Sequence, residues 1–321
     1  MEEVLYDIII IGAGPIGIAC ALKAKKAGLS YLVLEKGPLV NSLYNYPANM
    51  QFFSTSEKLE IEEIPFISKE AKPSKQEALE YYRRIATSNQ LDIHLFEEVV
   101  DVKKKVDFEV NTSKKTYLSR QLIIATGFFD IPNLLKVPGE ELPKVTHYYN
   151  DPHLYAFQNV VVIGASNSAV DAALEIYRKG GKVTMLVRGD SIGERVKYWV
   201  KPDIENRIKE GAITVFYNSE VEKITPNSVF FKQNGVIKSI ENDFVVALTG
   251  YLPNFSFLKS LGVDLTGKYL IPSYDPKTME TNVAGIYLAG VICGGKETHK
   301  WFIENSRVHA EMIISDIMEK S

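Results

Sequence analysis

The chain has 321 residues, 45% of them apolar and 24% charged, with a formal net charge of −3. That length exceeds one simple core and predicts about two domains, while the acidic balance gives no reason to expect nucleic acid or an anionic membrane as partner. No apolar run approaches the roughly 18 residues of a spanning helix, Met1-Glu-Glu-Val is not a basic signal region, and two cysteines, Cys20 and Cys293, cannot build a disulfide framework, so a cytoplasmic protein without a metal is expected.

The first element is the apolar run ending in Ile11, which meets Gly12-Ala-Gly14-Pro15-Ile16-Gly17 and then a helix from about Ile16 to Ala27, stopped by Gly28. A second apolar run, Tyr31–Leu34, closes on Glu35. Each part of this pattern has a physical task. Gly12 permits a tight strand-to-helix turn, Gly14 lets backbone approach a pyrophosphate, and Gly17 lets the helix sit close to the sheet. The helix start offers unpaired N–H groups to phosphate. Glu35 stands where an acid accepts a hydrogen bond from a ribose 2′-hydroxyl.

From Pro38 to Pro73 the chain is irregular and aromatic, with Tyr44, Tyr46, Phe52 and Phe53. Such rings either fill a core or line a flat ligand. A helix is expected near Ser74 to Asn89, on the spacing of Ala78, Leu79, Tyr82, Ile85 and Ala86. Short strands with a solvated bend at Lys103–Lys105 lead to a buried strand that stops at Thr126-Gly127. Pro132, Pro138, Gly139 and Pro143 then mark a linker.

Beyond the linker the opening recurs. Asn159 to Ala169 overlays the first turn with Gly12 on Gly164, Gly14 on Ser166 and Gly17 on Ala169, so two nucleotide sites are expected. Their second strands end differently. The first closes on Glu35, whereas the second presents Arg188, which pairs with a 2′-phosphate where an acid would repel it. The second site is expected to prefer NADPH, with Arg195 and Lys197 either assisting or simply solvated. Later come strands at Ile213–Tyr217 and Ser228–Phe231, a hairpin at Asn234-Gly235, a strand stopping at Thr249-Gly250, another stopping at Gly290, and a final helix from about Phe302 to Met318. Ile313, Ile314 and Ile317 on that helix suit burial in its own core or against a second subunit.

The two glycine turns, the two Thr-Gly stops and the Gly285-Ile-Tyr-Leu-Ala-Gly290 strand resemble the flavoprotein reductases with two dinucleotide-binding domains, over the full length. The size resembles the low-molecular-weight thioredoxin-reductase branch. Within it, Tyr44-Asn-Tyr-Pro47, Phe52-Phe-Ser-Thr-Ser56, Ala125-Thr-Gly-Phe128 and Ile303-Glu-Asn305 resemble the bacillithiol disulfide reductases. The resemblance implies an α/β fold of two Rossmann-like domains, the second inserted in the first: 1–150 plus 243–321 for FAD, and 151–242 for NADPH. It places Gly12, Gly14, Gly17 and Glu35 at FAD, and Gly164, Ser166, Asn167, Ser168, Ala169 and Arg188 at NADPH. Further candidate cofactor contacts are Pro15, Ile16, Lys36, Tyr46, Phe53, Thr126, Gly127, Lys197, Gly250, Gly290 and Val291.

Three departures accompany the resemblance. The middle domain has no Cys-x-x-Cys, the first glycine turn has Ile16 where the bacillithiol enzymes carry a cysteine, and Val291 stands where most relatives place an acid. The candidates left for chemistry are Cys293, three residues past Gly290, and His309 as a proton donor ahead of His147, His153 and His299. The reading is an NADPH-dependent FAD oxidoreductase that reduces a small disulfide of the bacillithiol kind. A ferredoxin/flavodoxin–NADP⁺ reductase, handing electrons to a small redox protein, ranks second, and a flavin monooxygenase third. A homo-oligomer is expected.

Overall fold

The computed structural model describes residues 4–320. It divides into two compact units: one formed by the chain up to Asn45, Met50–Ile131 and the chain from Tyr251 on, the other by Tyr46–Asn49 and Pro132–Gly250. The second unit therefore starts before residue 151 and ends after residue 242. The reason lies in strand pairing. Val145–Thr146, just past the expected linker, pairs in parallel with Phe244–Ala247, and Lys144 Nζ donates to Asn242 Oδ1 at 2.9 Å. Both strands of this pair thus fall in segments expected in the first domain and yet build the second sheet.

In the first unit β1 (Leu5–Ile11) leads through a turn to α1 (Pro15–Lys26) and β2 (Tyr31–Leu34). β1 lies between β2 and the strand Thr116–Ile124, parallel to both. A central parallel strand is covered on both faces, which is why Ile8, Ile9 and Ile10 are fully buried and the run does not alternate. The outer strand on the other side of β2 is Ile93–His94. The strand 116–124 is shared along its free edge: its first half pairs antiparallel with Phe108–Thr112, and its last three residues pair in parallel with Ile286–Leu288. The expected helix after Pro73 is Lys75–Ser88, capped by a reciprocal Ser74–Glu77 box.

The second unit repeats this plan. Its sheet runs Thr214–Phe216, Lys182–Leu186, Asn159–Ile163, Phe244–Ala247 and Val145–Thr146, all parallel. The helix Asn167–Arg178 begins and ends at positions equivalent to Pro15 and Lys26. A three-stranded antiparallel sheet, Ser219–Ile224, Ser228–Gln233 and Val236–Glu241, also belongs to this unit. Its last hairpin turns at Asn234-Gly235, both with positive φ as a tight two-residue turn needs.

The final helix is not continuous. Ile303–Ser306 is separated from His309–Lys320, and between them Arg307 reaches back to donate to the carbonyl of Glu60 at 2.6 Å. Ile313, Ile314 and Ile317 are buried within the first unit, so they furnish its own core and leave no apolar face on that side of the helix.

Candidate functional site

The first glycine turn is shaped by close approach. Gly12 has φ +108°, and a Cβ there would sit 2.5 Å from the Ala125 carbonyl oxygen. A Cβ on Gly17 would sit 1.9 Å from the Gly12 oxygen. Gly14 differs, because a side chain added there would meet nothing within 4 Å. Its role is therefore to leave space in front of α1, whose N-cap makes no side-chain hydrogen bond. The first intrahelical bond runs from Ile18 N–H to the Gly14 oxygen, and the preceding N–H groups stay open for an anion. Pro15 fits at N1 because its missing N–H is not needed there.

Glu35 is nearly fully buried at the end of β2. Its Oε2 accepts from Ala13 N–H at 2.8 Å and its Oε1 from Gly37 N–H at 3.0 Å. Burial raises its pKa, and the two backbone donors counter part of that rise. The acid thus holds the glycine turn, each oxygen retaining a second lone pair. Lys36 pairs with Asp130 at 2.8 Å. Thr126 follows the strand that carries Ala125, and its Oγ1 is buried with no hydrogen-bond partner among the described residues. Gly127 next to it has φ +71°. An orphaned buried hydroxyl beside an open glycine cradle is what a missing polar ligand leaves behind, so these residues fit a flavin nucleotide.

Gly290 lies against this turn, since a Cβ on it would be 3.4 Å from Ile16. Its N–H donates to His309 Nδ1 at 3.1 Å, which puts the ring proton on Nε2. Cys293 Sγ is 3.9 Å from the same nitrogen, and Trp301 meets the imidazole edge-on. Both expected chemical candidates are thereby closed off from solvent: Cys293 and His309 are each 1% exposed. Burial raises the Cys293 thiol and lowers His309 to about 4, so a protonated thiol and a neutral imidazole brace the Gly290–Gly294 turn. Val291 is half-buried in that turn. The aromatic stretch divides its labour. Phe52 is core, while Tyr44 and Phe53 are exposed, the latter under Lys72 at 5.0 Å. Tyr46 is half-buried and falls in the second unit.

The second turn keeps the geometry with different contacts. Gly164 has φ +135° and lies under the Leu248 oxygen, as Gly12 lies under that of Ala125. Ser166 is the N-cap of Asn167–Arg178 without a side-chain cap bond. Ala169, the counterpart of Gly17, is fully buried, so this turn is wide enough for a methyl group. Ser168 is exposed on the first turn of the helix. Asn167 holds the following loop: its Oδ1 accepts from Lys197 N–H at 2.8 Å and its Nδ2 donates to the Arg195 oxygen at 3.1 Å. Lys197 Nζ pairs with Asp171 at 2.8 Å, so that ammonium is already neutralised. Arg188 is exposed just past Leu186, with no ion pair among the described residues. Gly250 has φ +92° and its oxygen accepts from Asn133 N–H at 2.9 Å. Thr249 Oγ1 donates to the Asn133 oxygen, so it is satisfied where Thr126 is not. Among the described residues no group of three or more His, Cys, Asp or Glu is placed to hold a metal, and no helix is long and apolar enough to cross a membrane.

Two sheets that share a parallel core of four strands in one order, each opening a helix with a glycine turn, define a protein with two dinucleotide-binding folds. The chain belongs to the pyridine nucleotide-disulphide oxidoreductases, a family whose pattern matches residues 9–290. It is similar to bacilliredoxin reductase Bdr of Bacillus subtilis (strain 168), with 44% identity over 315 residues and 97% of each chain covered. It is also similar to the solved bacillithiol disulfide reductase Bdr of Bacillus cereus, with a TM-score of 0.97 and 41% identity, covering 99% of this chain and 100% of that one. The Staphylococcus aureus Bdr structure gives a TM-score of 0.96 and 41% identity over 99% of both chains. Membership makes the protein an oxidoreductase that works with a flavin and a pyridine nucleotide.

Sequence reasoning missed Val40 and Asn133. Val40 N–H donates to the Ala13 oxygen at 3.1 Å, and its φ of +50° is rare for a β-branched residue. The neutral His309 sets a pH dependence. Its folded pKa of about 4 lies below the ordinary 6.5, so the unfolded chain takes up the proton first as pH falls. Folding stability from this group is complete above 6.5 and is lost down to about 4, on the order of 3 kcal/mol in all. Urea unfolding across this range is expected to show a shallower decline for His309→Asn than for the wild type.

Proposed function

We propose that the protein is an NADPH-dependent, FAD-containing reductase of a low-molecular-weight disulfide of the bacillithiol class. The 41% identity with two solved bacillithiol disulfide reductases over 99% of this chain carries this reading, and the unlike chemistry of the two turns supports its assignment of cofactors. In this assignment the first unit holds FAD. The open N–H groups of α1 and the space at Gly14 receive the pyrophosphate, Glu35 receives a ribose hydroxyl, and Thr126 Oγ1 acquires its missing partner. Bound FAD supplies the relay between a hydride donor and a disulfide.

The second unit holds NADPH. Its helix at Asn167 offers backbone N–H groups to the pyrophosphate, and Arg188, exposed and unpaired, offers a forked cation to the 2′-phosphate. Asn167 serves by fixing the loop at Arg195–Lys197, because its side chain is spent on that loop. Lys197 is a weaker candidate for phosphate than Arg188, since Asp171 already neutralises it. Cys293 and His309 are not proposed to touch substrate. A cytoplasmic location and a homo-oligomer belong to the same reading. The inward-facing isoleucines of the last helix lend the oligomer no support.

Stopped-flow absorbance of the holoenzyme separates the candidate acceptors. After reduction by NADPH, bacillithiol disulfide is expected to reoxidise the flavin within the turnover time. Reoxidation by ferredoxin or flavodoxin, with none by the disulfide, would overturn the reading. Arg188→Glu is expected to weaken NADPH about tenfold or more, roughly the worth of one charge-assisted contact, with NADH little changed. Titration of nicotinamide binding to each variant checks it.

A further inference from the structure

We infer that this protein reduces its acceptor without ever joining a substrate sulfur to a sulfur of its own. The inference rests on the disulfide-reductase reading above and specifies how that site must work. Thiol–disulfide exchange requires a thiolate that can approach a disulfide sulfur directly, and the chain offers only two cysteines. Cys20 is wholly buried in the middle of α1. Burial, with Glu62 adding to it, pushes its thiol up to about 12, and exposing it would mean lifting α1 from the sheet it covers. Cys293 is equally enclosed, within the Gly290–Gly294 turn that His309 holds through the Gly290 N–H.

The residues at the mouth of the glycine turn carry no sulfur at all. Pro15 begins α1, and the side chain of Ile16 is packed where a Gly290 Cβ would be only 3.4 Å away. The side chain between the glycine turn and Gly290 is therefore a hydrocarbon that can shape the site but cannot take a bond. The overall change still balances. One NADPH and one proton give NADP⁺ while one disulfide becomes two thiols: the S–S bond breaks, two S–H bonds form, and both electrons come from the nicotinamide. The protein's own groups bind and align the partners and remain covalently unchanged. The substrate class that follows is a small disulfide with its S–S bond accessible at the cofactor, not one that depends on a protein thiol to open it.

The test uses the holoenzyme turning over NADPH with bacillithiol disulfide. Intact mass after rapid acid quench is expected to equal that of the unmodified chain, and N-ethylmaleimide added to the NADPH-reduced, native enzyme is expected to add no label. The reduced spectrum should lack the long-wavelength band of a thiolate beside flavin. Cys20→Ala/Cys293→Ala, if it retains bound flavin, should turn over within about twofold of the wild type. A mass increase of one bacillithiol at Cys20 or Cys293 during turnover would overturn the inference and leave the substrate reading standing. So would a loss of more than about tenfold in a flavin-replete double variant. Failure of bacillithiol disulfide to reoxidise the reduced enzyme at all would remove the substrate reading and the inference together. The mass and labelling results on the unaltered chain decide the matter even where the double variant does not fold.

Discussion

The peptide at Ala13 is gripped from both sides. Its N–H is taken by the buried Glu35 carboxylate at 2.8 Å, and its carbonyl by the N–H of Val40 at 3.1 Å. Glu35 is itself locked through its backbone, since its N–H reaches the His94 oxygen and its oxygen accepts from Glu97 N–H. The position of the whole glycine turn thus depends on the end of β2 and on the loop beyond it. The left-handed backbone of Val40 is a strained conformation of the kind that usually costs about 1–3 kcal/mol and persists only where surroundings over-determine it. Here the surroundings are a buried side chain and the first bond of the short helix Asn41–Tyr44. A desolvated acid and a strained valine are both unfavourable alone; together they hold one peptide still.

The two halves share one pattern and differ in the polar contacts around their turns. Gly17 allows no methyl group against the Gly12 oxygen, while Ala169 already carries one. Thr126 keeps a buried hydroxyl unsatisfied, while Thr249 has given its hydroxyl to Asn133. Glu35 closes one second strand and Arg188 follows the other. One turn is tighter and has an orphaned donor and an acid; the other is wider and has a satisfied threonine and a cation with no ion pair among the described residues. The difference is one of local polar accounting, because the four-strand parallel cores of the two sheets have the same order.

Much of this was legible in the residues. The repeat, the helix starts and the Thr-Gly stops follow from apolar runs broken by glycine, and those signals are local. The boundary of the second unit was not legible. Val145–Thr146 is too short to read as a strand and earns its place only by pairing with Phe244–Ala247, about a hundred residues away. Val40 carries no local signal either, since nothing in Leu39-Val-Asn41 announces a left-handed residue. Cys293 and His309 looked chemical because reactive residue types near a cofactor strand are read that way. Burial alone distinguishes them, and burial comes from Trp301, Gly290 and the last helix meeting in space. The break at Arg307 has the same origin, a long side chain answering carbonyls near Glu60.

The space before α1 is the proposed nucleotide seat, and Gly14 separates that role from folding. Its φ of −71° is one that valine readily adopts, and no atom lies within 4 Å of the added Cβ. Flavin content per chain, measured by absorbance after purification beside the thermal midpoint, is the direct test. The wild type is expected to carry about one flavin, and Gly14→Val to melt as the flavin-stripped wild type does while carrying almost none, because its side chain fills the pyrophosphate path. A Gly14→Val protein that keeps its full flavin, or a wild type that binds none when offered it, would contradict the account.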